Sequence, residues 1–168
     1  MNSIWRSVKV SIKLKANIFR AICLSILLYG SESWILNERL KQSLNSFATS
    51  AYRIMLNIKR LDKRTNAEIY ELTGQKPLVN VVQNLQLRYI GHCLRRKVAE
   101  PINMYALYTP SESHGKRKQG QPTKSYAKYI LDLISHPPPT ESKLREFAQD
   151  RKEWSKRVFV CTGIRAPD

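Results

Sequence analysis

Apolar residues recur every three or four positions through most of the first hundred residues, a spacing that fits α-helices. Half-buried β-strands would need apolar residues at alternate positions, and the chain has few such stretches. The sequence therefore predicts an all-α fold. The three clearest predicted stripes are Leu14, Ile18, Ile22, Ile26 and Tyr29; Leu40, Leu44, Phe47, Ala51, Ile54, Met55 and Ile58; and Leu78, Val81, Val82, Leu85, Tyr89 and Cys93.

Local signals mark where several of these helices begin and end. Gly30 stops the first predicted helix, and Asn37 is a suitable N-cap for the second. Thr65–Glu68 has the spacing of a capping box, in which each of the two side chains accepts a hydrogen bond from the other residue's backbone N–H. Gly74 is a suitable C-cap for the short helix that follows, and Pro77 suits the first turn of the next one.

The pattern weakens after residue 97, which predicts two regions of different character. Residues 1–97 form the predicted helical, bundle-like lobe, and residues 98–168 form a looser helical region. Within the second region, residues 102–108 suit a short helix or a strand, and residues 109–123 lack apolar periodicity and predict a loop with glycine and proline. A short helix around Ile130 and a C-terminal helix over about 141–160 complete the prediction.

The apolar run from Ala21 to Tyr29 follows several basic residues, as in a signal peptide, but it favours a buried helix. It is shorter than the about 20 residues that span a bilayer, and its periodicity continues upstream. The three cysteines are too widely spaced for a disulfide framework or a zinc ribbon. We therefore expect no membrane association and a nuclear or cytoplasmic location.

The charge balance predicts a polyanionic partner. The chain has 29 Lys and Arg against 13 Asp and Glu, a net charge of +16. Arg88, His92, Arg95 and Arg96 fall on one side of a predicted helix, where they could follow a phosphate backbone or form an ordinary solvated face. Gly91 in that helix predicts the close approach of another backbone. Further charge near predicted helix ends comes from Lys13, Lys15, Arg20, Arg53, Lys59 and Arg60.

Catalytic signals are weak. The acidic residues are scattered, so no carboxylate cluster for a two-metal site is predicted, and we expect no metal and no cofactor. No phosphate-binding glycine loop and no nucleophile–base set stands out. The Tyr and Trp residues fall mainly on the predicted core stripes, so the sequence predicts no aromatic stacking platform. The residues by themselves indicate a protein that is not an enzyme.

Five segments occur in an order that is similar to a known family. They are SILLYGSESWIL (25–36), MLNIKRLDKRTNAEIYELTG (55–74), LQLRYIGHCLRR (85–96), GKRKQGQP (115–122) and FAQDRKEW (147–154). In these segments the chain resembles the part of non-LTR (LINE-type) retrotransposon reverse transcriptases that follows the polymerase core, especially in RTE-like elements. The resemblance covers essentially the whole chain.

The resemblance implies a helical thumb for the first lobe and a post-polymerase linker for the rest. The partners it implies are template–primer duplex, element RNA or target DNA, and the palm and fingers of a polymerase core. Matching positions place Tyr29 and Trp34 in the core and make Arg88, His92, Arg95 and Arg96 the basic helix. The family's magnesium-binding palm carboxylates and its endonuclease have no counterpart in this sequence, so the catalytic role is not carried over.

The resemblance also implies a function for the loop predicted over residues 109–123, which is rich in basic residues. The family usually carries Arg-Gly-Arg-Pro where this chain has Gln119-Gly120-Gln121-Pro122, a pattern that resembles hooks inserted into the DNA minor groove. Glutamine can bind base edges but releases no counterions, so a weakened hook is expected. The residues assigned to nucleic-acid contact in this loop are Lys116, Arg117, Lys118, Gln119, Gln121 and Lys124.

Three hypotheses follow. In the first, the chain is a non-catalytic nucleic-acid-binding fragment of a retrotransposon reverse transcriptase. In the second, it is part of an RNA-directed DNA polymerase that is active only with a palm domain. In the third, it is a decayed element remnant with no selected function.

Overall fold

Every regular element in the described part of the chain is helical. The computed structural model describes residues 2–109, 125–135 and 138–165, and within these ranges the all-α prediction is confirmed. The helices are α1 (Asn2–Arg6), α2 (Ile12–Phe19), α3 (Ser25–Leu27), α4 (Glu38–Met55), α5 (Asn66–Thr73), α6 (Leu78–Leu94), α7 (Pro101–Ala106), α8 (Tyr126–Ile134), α9 (Glu141–Gln149) and α10 (Arg151–Thr162). A π-helical turn (Arg20–Leu24) joins α2 to α3, and 3-10 turns cover Ser31–Ser33 and Arg60–Asp62.

The predicted caps of α4 and α5 are confirmed. The Asn37 side chain accepts a hydrogen bond from the Leu40 N–H at 2.8 Å. The Thr65 hydroxyl accepts from the Glu68 N–H at 3.3 Å, and the Glu68 carboxylate accepts from the Thr65 N–H at 2.7 Å. Gly74 ends α5 with φ at +63°, which favours glycine. These ends depend on neighbouring residues alone, so the sequence contains the information that sets them.

The C-terminal helix predicted over about 141–160 is two helices, α9 and α10. Asp150 separates them in an extended conformation, and its carboxylate accepts hydrogen bonds from the Lys152 and Glu153 N–H groups. These bonds lower the pKa of Asp150. A carboxylate that satisfies two free N–H groups is a strong N-cap, and it begins α10 at Arg151.

The first predicted apolar stripe is wrong about which face is buried. Leu24 is buried, whereas Ile22 is 45% exposed and Tyr29, assigned to the core by the resemblance, is 89% exposed. The shift begins within α2, where Leu14 is exposed and Ala16 and Phe19 are buried. The π-helical turn that follows adds a residue to one turn and so rotates the later residues relative to α2. Phe19 and Leu24, five positions apart, therefore share the buried side, which the spacing of an α-helix does not predict.

Leu24 and Ile22 test this shift of the buried face. We expect Leu24→Ala to lower the free energy of unfolding by about 2–4 kcal/mol, because it removes buried methyl groups and leaves a cavity. Ile22→Ala should cost under about 1 kcal/mol, because its side chain is already half in water. Urea unfolding of both variants measures the difference. A larger loss for Ile22→Ala than for Leu24→Ala would instead support the buried face predicted from α-helical spacing.

The chain divides into two compact units. The first contains residues 1–31 and 36–82, and the second contains residues 32–35 and 83–168. The boundary falls within α6, between Val82 and Gln83. The predicted functional division at residue 97, between a thumb-like lobe and a linker, stays a prediction.

The core of the first unit includes a chain of aromatic contacts. The Phe19 ring centroid lies 5.9 Å from that of Phe47 and 5.6 Å from that of Tyr52, and Tyr52 contacts Tyr70 at 6.2 Å. Burial raises the pKa of Tyr52 to about 12. The aromatic side chains therefore pack α2, α4 and α5 together.

Two basic side chains of the first unit have structural contacts. The buried Lys15 donates to the Met55 carbonyl at 3.1 Å, at the C-terminal end of α4. Arg53 donates to the Arg64 carbonyl at 3.1 Å and to the Asn66 side chain at 2.8 Å. Lys15 was wrongly predicted to add surface charge, because its ammonium group compensates unpaired carbonyls of a helix end.

The second unit is built around α6, α8, α9 and α10. Its core residues are Leu87, Ile90, Leu94, Leu107, Ala127, Ile130, Leu144, Ala148, Trp154 and Val158. The side chain of Asn103, in α7, donates to the Leu94 and Arg96 carbonyls at 3.1 and 2.8 Å and so caps the end of α6. No helix in the described ranges is both long enough and apolar enough to cross a bilayer.

Candidate nucleic-acid interface

Basic side chains from two helices of the second unit line one open cleft. The cleft has a volume of about 750 Å³, and α6 and α10 supply most of its walls. We call it the basic cleft. Its arginine, histidine and carboxylate lining residues are Arg88, His92, Arg95, Arg151 and Glu32. Four groups that are cationic, or become so on protonation, therefore face one acid.

The α6 wall agrees with the spacing seen in the sequence. Arg88 and His92 are exposed and one turn apart, and Arg95 follows on the same side. Arg95 donates to the Ala148 carbonyl at 3.0 Å, which fixes its guanidinium while leaving further N–H donors. Arg96 does not line the cleft, but its guanidinium lies 3.5 Å from His92 Nε2.

The α10 wall packs closely against α6 at Trp154. The Trp154 indole N–H donates to the Leu87 carbonyl at 3.0 Å. A Cβ on Gly91 would lie only 2.6–2.7 Å from indole carbons of Trp154. The close approach predicted at Gly91 is therefore real, but the approaching group is a side chain and not a backbone. This contact sets the distance between Arg88 on one helix and Arg151 on the other.

The electrostatics of the basic cleft favour an anion. Burial lowers the pKa of Arg95, and the nearby charge of Arg151 lowers it further. An arginine stays protonated at neutral pH even so. Arg95 and Arg151 therefore repel each other in a partly dehydrated place, and a bound anion such as a phosphate would relieve that repulsion.

A second, smaller cleft lies on the same unit and contains aromatic residues. It has a volume of about 380 Å³ and shares Glu32 and Tyr89 with the basic cleft. We call it the tyrosine cleft. Its lining residues are Glu32, Ser33, Tyr89, Ile90, Cys93, Ile102, Tyr105, Ala106 and Tyr126. The expectation that tyrosines serve mainly the core is wrong here, because Tyr89 and Tyr105 are both exposed.

Partly buried hydrogen bonds hold residues 32–35 in this unit. The Gln86 amide donates to the Trp34 carbonyl at 2.8 Å and accepts from the Tyr129 hydroxyl at 2.9 Å. The Tyr126 hydroxyl donates to the Glu32 carbonyl, and burial raises the pKa of this phenol strongly. Trp34, predicted in the core, is half-buried. These bonds place Glu32 at the edge that the two clefts share.

With this geometry established, comparison with known proteins adds one relative. The chain is similar to a transposon-derived protein. This relative, an uncharacterized protein of Caenorhabditis elegans, is 25% identical over 149 residues, which cover 84% of the chain and 53% of the relative. The chain thus spans about half the length of the curated relative that it matches. No family model matches the sequence, and no solved structure matches it.

The remaining predicted site residues cannot be placed. The loop residues Lys116, Arg117, Lys118, Gln119, Gln121 and Lys124 lie outside the described residues. In the ranges that the structure describes, no three His, Cys, Asp or Glu side chains are grouped so as to hold a metal ion.

Two residues of the clefts were missed from the sequence. From the sequence, Arg151 was placed only in the C-terminal helix predicted over about 141–160. Tyr105 was placed only in residues 102–108, which suited either a short helix or a strand. The Asp150 cap was the available signal for Arg151, because it marks the exposed first turn of a helix. No comparable signal exists for Tyr105, since only the folded chain brings α7 beside α6.

Proposed function

We propose that this chain is a non-catalytic, nucleic-acid-binding part of a transposable-element reverse transcriptase of the non-LTR type. In this proposal it acts as thumb and linker, and it holds template–primer duplex, element RNA or target DNA beside a polymerase core that supplies the palm and fingers. The observation that carries the proposal is the convergence of Arg88, Arg95 and Arg151, with His92, on one open cleft.

Phosphate is the anion that best suits this cleft. Guanidinium groups present planar pairs of N–H donors that match phosphate oxygens, and three of them along one cleft can contact successive phosphates of a strand. The net charge of +16 adds a long-range attraction that raises the rate of encounter. The similarity to a transposon-derived protein supports an element origin.

The salt dependence of binding tests the role of the cleft. We expect Arg88→Ala with Arg151→Ala to weaken duplex binding and to reduce the slope of log affinity against log salt by about 1.8, because two phosphate contacts are lost. The matched control is Lys128→Ala with Lys143→Ala, which removes the same charge from exposed positions of the same unit. Filter binding between 50 and 200 mM salt measures both.

Two outcomes would contradict the proposal. One is an equal change of slope in the control pair, which would mean that binding follows net charge and not the cleft. The other is binding to nucleic acid that matches binding to heparin, which would favour an element remnant without a selected role. The proposal would be supported if the wild type and the lysine control preferred duplex over heparin and the double arginine variant did not.

The non-catalytic part of the proposal has its own test. We expect the chain alone, in the presence of magnesium, to bind duplex without extending the primer. Magnesium-dependent synthesis by the isolated chain would overturn this part and leave the binding role intact.

A further inference from the structure

We infer that the tyrosine cleft receives an unpaired nucleobase from the strand whose phosphates lie in the basic cleft. The inference rests on the proposed function and adds the form of nucleic acid that the chain selects, which is a duplex with an adjoining single-stranded segment. Tyr105 and Tyr89 are the residues assigned to contact the base.

The two clefts adjoin each other at Tyr89 and Glu32, which line both. A nucleotide bound across this edge would have its phosphate on the side of Arg88 and its base on the side of Tyr105. The volume of about 380 Å³ is at the lower end of the range for small-molecule sites, which suits one flat ring system. A base still paired in a duplex could not enter, because it is stacked between its neighbours.

Tyr105 is positioned as a stacking surface. Its side chain is 65% exposed, so it contributes little to the core. The Tyr108 ring contacts it edge-to-face, with centroids 5.8 Å apart, which restricts its motion. An aromatic ring that is exposed but held in place loses little entropy when a base stacks on it.

The charges at the shared edge favour a base over a phosphate in the tyrosine cleft. The Glu32 carboxylate repels phosphate, and the basic residues all lie on the other side of the edge. A hydrogen bond with Cys93 raises the pKa of the Tyr89 phenol, which stays neutral. The tyrosine cleft thus offers neutral rings and an anionic acceptor, Glu32, which suit the faces and amino groups of bases.

The test compares a blunt duplex with the same duplex carrying a single-stranded tail, in DNA and in RNA, at one salt concentration. The wild-type chain should bind the tailed probe more tightly. Tyr105→Ala should weaken binding to the tailed probe at least about fivefold, the lower limit for one stacked base, and leave blunt-duplex affinity unchanged. Tyr105→Phe should keep the preference, because the ring remains. The control is Tyr29→Ala, at an exposed tyrosine of the other unit.

A fluorescent base adds a direct readout. 2-Aminopurine at the first unpaired position should be quenched by wild type and by Tyr29→Ala, but not by Tyr105→Ala. Equal wild-type affinity for the two probes, or unchanged quenching in Tyr105→Ala, would overturn the inference while the proposed function stands. Absence of wild-type binding to both probes would instead remove the proposed function, and the inference with it.

Discussion

Gly91→Ala is expected to lower the free energy of unfolding by about 3 kcal/mol or more, although alanine favours a helix by about 1 kcal/mol relative to glycine. The added Cβ would lie 2.6 Å from Trp154 Cε2 and 2.7 Å from Cδ1, well inside van der Waals contact. The indole cannot turn away easily, because it is buried and donates a hydrogen bond to the Leu87 carbonyl. Thermal unfolding should show a melting temperature lower by roughly 6–12 °C.

A double variant separates this clash from other effects of the substitution. Trp154→Ala alone should be strongly destabilising, at about 3–5 kcal/mol, because a buried aromatic ring is lost. In that background Gly91→Ala should become neutral or stabilising by up to about 1 kcal/mol, since only the helix preference remains. Destabilisation of the same size in both backgrounds would show that the indole is not the cause.

Under the proposed function, Gly91→Ala should also weaken nucleic-acid binding. Arg88 and Arg151 belong to the two helices that Gly91 and Trp154 hold together, so moving α10 away from α6 would widen the basic cleft. Phosphate contacts depend on such spacing more than on charge alone. We therefore attribute the glycine to the geometry of the cleft as well as to the stability of the second unit.

Features that depend on neighbouring residues could be read from the sequence. The Asn37 cap, the Thr65–Glu68 capping box and the Gly74 C-cap each involve residues within one helical turn, and each is found as predicted. The row formed by Arg88, His92 and Arg95 is of the same kind, because an α-helix fixes which residues share a side.

The errors arise where that local rule fails or where the tertiary fold decides. The π-helical turn over Arg20–Leu24 shifts the buried face, and apolar spacing gave no sign of it. Lys15 became buried because the carbonyl end of α4 lies beside it, 40 residues further along the chain. Arg151 and Tyr105 likewise lie beside α6 only in the folded chain. The sequence therefore did not predict one side of each cleft.

Gln86→Leu should have the second large effect, a loss of about 2–5 kcal/mol in the free energy of unfolding. Gln86 is fully buried, and leucine of similar size would leave the Trp34 carbonyl and the Tyr129 hydroxyl without the bonds that Gln86 provides. Each buried polar group deprived of its partner costs about 1–3 kcal/mol. Chemical denaturation measures the loss, with Gln83→Leu, at a half-buried position one turn earlier, as the control.

A second substitution distinguishes lost hydrogen bonds from poor packing. Tyr129→Phe should cost about 1 kcal/mol less in the Gln86→Leu background than in the wild type, because its hydrogen bond to Gln86 is already absent there. An equal cost in both backgrounds would indicate packing as the cause. Because the Trp34 bond helps to hold residues 32–35, Gln86→Leu should also free Glu32 from the shared edge of the clefts. The variant should then discriminate less between tailed and blunt duplexes, while the dependence on salt that the proposed function assigns to Arg88 and Arg151 should remain.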